Sequence, residues 1–249
     1  MMTGFCVAQQ HVETVPVARL RPTQLTVGMR EVDFKRSRWR RKHSREAANY
    51  LGTRRFPVVL GPGARHYLID RHHLALALYE EGILEVPALI VANMTGFGLD
   101  EFWATLEARS WTHPFDGDGR RCSYDDMPAS VNDLSDDSFR SLAGALKRAG
   151  GYAKDKAPFS EFCWADYLRR RIPRELVENH FGHALALATS LAQNREAAKL
   201  PGFRRHPGEI SATAQIGGPQ PDARHMAALR AVYETNIRLT GGSLSLPVA

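Results

Sequence analysis

Tyr67-Leu68-Ile69-Asp70-Arg71-His72-His73-Leu74-Ala75-Leu76-Ala77-Leu78-Tyr79 is the stretch on which the fold turns. An apolar, strand-like run gives way to four polar residues and then to a run of good helix formers. Upstream lies Phe56-Pro57-Val58-Val59-Leu60, separated from it by Gly61-Pro62-Gly63, and two short apolar runs around such punctuation read as a β-hairpin. Gly82 supplies the helix stop. Asp70 to His73 therefore sit where a strand feeds a helix. Unpaired backbone N–H groups and the positive end of the helix dipole at such a junction favour phosphate or another anion, and the imidazoles of His72 and His73 add donors. The plain alternative makes Asp70 an N-cap and the two histidines solvated residues of a first turn.

Outward from the junction, Val15 to Gln24 reads as a short strand ending in a turn, with Pro16 and Pro22 at positions that suit strand ends. In Leu25-Thr26-Val27-Gly28-Met29-Arg30-Glu31-Val32, Gly28 allows a turn or a close backbone approach and leaves Glu31 three residues on, at a loop or helix start. Glu31 has two readings, a catalytic carboxylate or a surface ion pair. The run Lys35 to Arg45 carries seven Lys/Arg and one aromatic in eleven positions, a composition shared by nucleic-acid-binding segments, polyphosphate clamps and solvated helix faces. A helix continuing through Leu51 to a stop at Gly52 fits the last of these.

Val86 to Ala92 adds another strand, and Asp100 to Ser110 a helix with Phe102, Trp103 and Leu106 on one side. Residues 112–130, with Pro114, Gly117, Gly119 and Pro128, form a long loop. Beyond it the period turns helical. Ser135 is the expected N-cap for a stripe of Phe139, Leu142, Ala143 and Leu146; a second helix fits Ser160 to Ile172; a third opens at Pro173 and runs towards Leu200. His180 and His183 have metal-like i, i+3 spacing but no evident third ligand, and read as structural or surface residues. Ala223 to Arg238 fits a last helix.

The fold class is thus α+β with a mainly helical C-terminal part. The expected divisions are an α+β domain over 10–95, a helix and linker over 96–130, a helical domain over 131–202 and a partly helical extension over 203–249. Cys6, Cys122 and Cys163 form no Cys-x-x-Cys pair, which argues against a disulfide framework and a zinc knuckle. No apolar run approaches the roughly 18 residues of a membrane span. With no signal-peptide pattern at the start, a cytoplasmic location is the expectation. Charge is uneven: residues 1–60 hold 12 Lys+Arg against 4 Asp+Glu, whereas 94–140 hold ten acids against four arginines, so an anionic partner would meet the first part.

The chain resembles the ParB-like nucleases of the ParB/sulfiredoxin superfamily over roughly residues 12–173. The likeness rests on Leu25 to Val32, on Tyr67 to Leu74, and on Gly151-Tyr152-Ala153-Lys154 followed by Pro158 to Phe162 and Trp164-Ala165-Asp166. It implies a small ParB/sulfiredoxin-like α+β domain that binds nucleotide phosphates at the strand-to-helix junction. Partition proteins of the superfamily carry an Arg-rich motif where this chain has His72-His73, and sulfiredoxins need a cysteine there that this chain lacks. The free serine kinases are more similar, with an upstream glutamate base and an Asp-Gly-His-His-Arg motif; Arg71 stands here in place of the Gly and Leu74 in place of the Arg.

The resemblance implies a nucleoside polyphosphate (ATP, ADP or CTP), a small-molecule acceptor and Mg²⁺ in phosphoryl transfer or phosphate-ester hydrolysis. Glu31 would be the base, Asp70 a metal or hydroxyl contact, and His72 and His73 phosphate donors, with Arg30 and Arg71 beside the nucleotide. The alternatives are a DNA or RNA nuclease that uses residues 35–45 along the backbone, and a binding module without catalysis.

Overall fold

The computed structural model describes residues 11–42 and 44–204. Its sheet has five strands: β1 (His11–Pro16), β2 (Leu20–Pro22), β4 (Phe56–Gly61), β5 (Arg65–Leu68) and β6 (Glu85–Asn93), in the order β1-β6-β4-β5-β2. The expected hairpin is present, with β4 and β5 antiparallel and Val59 opposite Tyr67, and Gly63 takes the left-handed turn conformation at φ 69°. The first strand starts earlier than the sequence suggests, and a 3-10 turn over Val17–Arg19 separates it from β2.

Alternation along the strands feeds two cores. Phe56, Val58, Leu68, Ala88 and Ile90 face a core completed by α3 (His72–Glu80), where Ala75, Leu76 and Leu78 are buried. Val59, Tyr67 and Ala92 point the other way, onto Phe102, Trp103 and Leu106 of α4 (Leu99–Ala108). Burying a Leu- or Phe-sized side chain contributes roughly 1.5–3 kcal/mol, so these two faces fix the register of the sheet.

The basic run differs from the single helix expected. α1 (Met29–Arg40) ends in a turn where Lys42 N–H donates to the Trp39 carbonyl at 2.9 Å, and α2 (Ser44–Thr53) begins afresh with Gly52 inside its last turn. Trp39 packs edge-on to Tyr50 at 6.1 Å, which holds the two helices together. Arg36 pairs with Glu80 at 3.0 Å and Glu81 at 2.8 Å, and Arg40 with Glu81 at 2.7 Å, so two cations of the run tie α1 to α3.

The helical part is joined to the α+β part by a two-stranded parallel ribbon of β3 (Thr26–Val27) and β7 (Ser135–Asp136). That pairing displaces the expected cap. Ser135 belongs to the ribbon, and the N-cap of α5 (Ser138–Arg148) is Asp137, whose Oδ1 accepts from the N–H groups of Phe139 at 2.9 Å and Arg140 at 3.1 Å. The predicted stripe of Phe139, Leu142, Ala143 and Leu146 is buried against α6 (Ser160–Arg169), α7 (Arg174–Asn179) and α8 (Phe181–Leu191). The expected long third helix is divided at His180, whose backbone (φ −137°, ψ 53°) leaves the helical region, and it is followed by a 3-10 turn over Arg195–Lys199. Residues 112–130 form ordered loop structure with a 3-10 turn at Tyr124–Asp126 closed by a Ser123–Asp126 capping box. The expected helix at 223–238 lies outside the described residues. Among those described, no helix is long and apolar enough to cross a membrane.

Candidate functional site

At the junction the backbone does what a glycine would do. Arg71 adopts φ 69°, a left-handed conformation costing a side-chain-bearing residue about 1–2 kcal/mol, and it, rather than Asp70, occupies the N-cap position of α3. Asp70 is exposed, and its Oδ1 accepts from the Arg71 N–H at 2.6 Å. The carboxylate thus stands at the helix end that would otherwise attract an external anion.

His72 and His73 turn inward. Nε2 of His72 accepts from the Thr23 N–H at 3.2 Å, while the Thr23 hydroxyl donates to the Leu68 carbonyl at 2.9 Å. Nε2 of His73 accepts from the Gly28 N–H at 3.0 Å. An accepting Nε2 requires the ring proton on Nδ1 and hence a neutral imidazole. Burial has the same consequence: it pushes His72 down to about 3 against a weak opposing pull from the Leu68 carbonyl. It also drives His73 well below the usual histidine range, helped by Arg140 and Lys35. The geometry therefore offers these rings a role other than the expected phosphate donors. They fasten segment 23–28 to the start of α3.

That fastening sets α1. Gly28 lies so close to α5 that a Cβ would come within 2.6 Å of the Ser141 backbone nitrogen, which is why no larger residue fits. The first amides of α1 are already engaged: Met29 N–H donates to Asp136 Oδ1 at 2.8 Å and Arg30 N–H to Ser141 Oγ at 3.2 Å. The Arg30 guanidinium is turned towards α8 and lies 4.2 Å from the Phe181 ring centre.

Glu31 projects from this first turn into a charged recess between α1, α5 and α6. Its carboxylate pairs with Lys35 at 3.2 Å and with Arg148, and its side chain is only 15% exposed. Lys147 pairs with Glu161 across the same recess. Burial by itself raises the Glu161 carboxyl, but Arg140 and Lys147 outweigh it and hold the group down at about 2. Burial depresses Lys35, with Arg140 and Lys147 adding to the effect. Arg140 is common to all of these. Its guanidinium lies 5.3 Å from the centre of the Phe162 ring, and its Nε is buried without a hydrogen-bond partner. Beneath it, a Cβ on Gly144 would meet Glu31 Oε2 at 3.1 Å, Arg140 Nη1 at 3.5 Å and Arg148 Nη1 at 3.6 Å, so three charged groups converge over the bare face of this glycine.

Of the residues expected in the site, Glu31 stands in this recess. His73 feels its field from behind, while Asp70 and Arg71 lie at the junction itself. Arg140, Gly144, Lys147, Arg148 and Glu161 were missed. Their one local signal is Gly144, a poor helix former in the middle of an otherwise regular helix, with Arg140 four residues before it and Arg148 four after. Among the described residues, no group of three or more His, Cys, Asp or Glu side chains is arranged to hold a metal. Mg²⁺ commonly relies on one or two carboxylates plus substrate phosphates, and exposed Asp70 suits that limited role.

An α+β unit with this junction, joined to a helical part, is the architecture of the ParB-like proteins, and the family described as "Putative ParB-like nuclease" matches residues 13–170. The chain belongs to this family. It is also similar to the crystal structure of protein Atu1540 from Agrobacterium tumefaciens, with 49% identity over 78% of this chain and 98% of that one, at a TM-score of 0.73. No curated protein matches.

Proposed function

We propose that this ParB-like protein is a phosphate-ester enzyme that binds a nucleoside polyphosphate (ATP, ADP or CTP) and transfers or hydrolyses a phosphoryl group, with Glu31 as general base. One observation carries the reading: the Glu31 carboxylate is recessed among a surplus of cations contributed by α1 and α5. A phosphate drawn into the recess competes for Lys35 and Arg148, whose side chains are each about one-third exposed, and this competition frees the carboxylate to take a proton from an acceptor hydroxyl or water. Asp70 would be the protein ligand of a Mg²⁺ arriving with the nucleotide, and that ion would supply charge neutralisation on the phosphate oxygens. His72 and His73 act through the loop they hold, by keeping Gly28 and hence Glu31 in position.

The test is phosphate release with each nucleotide, alone and with small hydroxyl acceptors, in wild type and Glu31→Gln. The variant should lower kcat by about 10²–10⁴ while leaving nucleotide Kd nearly unchanged. Full turnover in Glu31→Gln would remove the base from this residue.

The family description favours a second reading, a nuclease that lays a nucleic-acid backbone along the cations of residues 35–45. Nicking of plasmid by purified protein with Mg²⁺ or Mn²⁺, lost in Asp70→Ala, would put this reading first.

A further inference from the structure

We infer that the recess over Gly144 is a receptor for a dianionic terminal phosphate, with Arg140 as its principal donor; the site therefore selects phosphomonoesters and nucleotide ends over the diester phosphates of a nucleic-acid chain. This deepens the enzymatic reading above and rests on it for the chemistry, but not for the binding. Three features of the recess converge on it.

The first is charge. Lys35, Arg140, Lys147 and Arg148 face Glu31 and Glu161, and four cations against two carboxylates leave a surplus of two positive charges. A phosphate monoester carries nearly two negative charges above its second ionisation near pH 6, whereas a diester carries one. The second is an unused donor. Lys35, Lys147 and Arg148 have carboxylate partners, but Arg140 Nε is buried with none, although a guanidinium fork suits phosphate oxygens. Phe162 lies beside the guanidinium and His113 stacks on Phe162 at 3.9 Å, so the fork is held in place before any ligand arrives. The third is shape. Because Gly144 has no side chain, Glu31 Oε2, Arg140 Nη1 and Arg148 Nη1 close to 3.1, 3.5 and 3.6 Å from where a Cβ would stand, so a phosphate that displaces the Glu31 carboxylate meets two guanidinium groups at once, beside Glu161 and Lys147, which are 25% and 31% exposed. A terminal phosphate can turn three oxygens into such a recess, while a chain phosphate must keep two of its oxygens bonded outward on both sides.

The experiment measures binding of phenyl phosphate and of methyl phenyl phosphate to the full chain by calorimetry at about pH 7.5, in the wild type, Arg140→Gln, Arg140→Lys and Gly144→Leu. Wild type should bind the monoester at least about 10-fold more tightly than the diester. Arg140→Gln should lose about 10–100-fold, the value of one or two charge-assisted hydrogen bonds. Gly144→Leu fills the floor while keeping every cation, and should lose as much. Arg140→Lys keeps the charge beside Phe162 without the fork, guards against loss of the fold, and should fall between.

Equal binding of the two esters by the wild type, or no monoester binding at millimolar concentration, overturns the inference without recourse to any variant. Folded Arg140→Gln and Gly144→Leu proteins that bind the monoester normally overturn its location. Loss of monoester binding in these variants together with undiminished turnover in Glu31→Gln would sustain the receptor and sink the assignment of the base.

Discussion

Acid should weaken this protein well before its carboxylates protonate, because two buried histidines must stay neutral for the loop at 23–28 to be held. In the unfolded chain each histidine titrates near 6.5. In the fold His72 is held at about 3 and His73 is well below the usual value, both chiefly by burial. A depressed folded-state value means that the unfolded chain binds the extra proton. The stability is therefore complete above about pH 6.5 and is lost as pH falls below it, until the folded-state value is reached. Between about pH 7.5 and pH 5.5 each histidine costs roughly 1.3 kcal/mol, or about 2.6 kcal/mol for the pair, a large share of the roughly 5–15 kcal/mol typical of a folded domain. His113, lowered to about 4 by burial and then by Arg169 and Arg140, adds a loss of the same sign and nearly the same size over this window, since its folded-state value also lies well below pH 5.5. Urea unfolding at the two pH values measures the difference, and His72→Gln and His73→Gln should each remove about half of the pair's loss whatever they do to stability at pH 7.5. A wild-type difference below about 1 kcal/mol, or an unchanged difference in both variants, would refute the claim that these rings are buried and neutral.

Other consequences are more local. Gly28→Ala should destabilise by several kcal/mol, roughly 2–4, since its methyl group meets Ser141 backbone and not a movable side-chain end; denaturant midpoints give the value. Arg71→Gly should stabilise by up to about 1 kcal/mol, because relief of the left-handed backbone exceeds the added freedom of the unfolded glycine; a lower melting temperature would show that the Arg71 side chain contributes more than its backbone costs. Asp137→Ala should cost roughly 2–4 kcal/mol through the lost cap of α5 and the loss of its 2.7 Å ion pair with Arg169, seen as an earlier urea midpoint.

The parts of the fold legible in the sequence are those with local causes. Gly61-Pro62-Gly63 between two apolar runs can hardly be other than a turn, and the spacing of Phe139, Leu142, Ala143 and Leu146 fits one helix face. Ser135 was misread because its fate depends on Leu25, whose carbonyl takes the Ser135 N–H at 3.1 Å from far up the chain. The histidines illustrate the same limit. Their type suggested a polar, ligand-facing role, but the partners that make burial tolerable, the amides of Thr23 and Gly28, stand more than forty residues away. Glu31 was legible as a candidate, while the convergence of Arg140, Arg148 and Gly144 on it exists only once α5 lies across α1.

The ribbon of Thr26–Val27 with Ser135–Asp136 also sets a schedule for synthesis. A ribosome that has released the whole five-stranded sheet, through Asn93, has yet to make any part of α5 or α6. Closing the ribbon encloses more than a hundred residues, and for a flexible loop the entropic cost of closure grows only slowly with that length, so the delay is one of waiting for chain more than of an opposing free energy. Until Arg148 emerges, Glu31 is one more carboxylate on the surface of a half-made protein, and the cations that enclose it are completed only by the last third of the described chain.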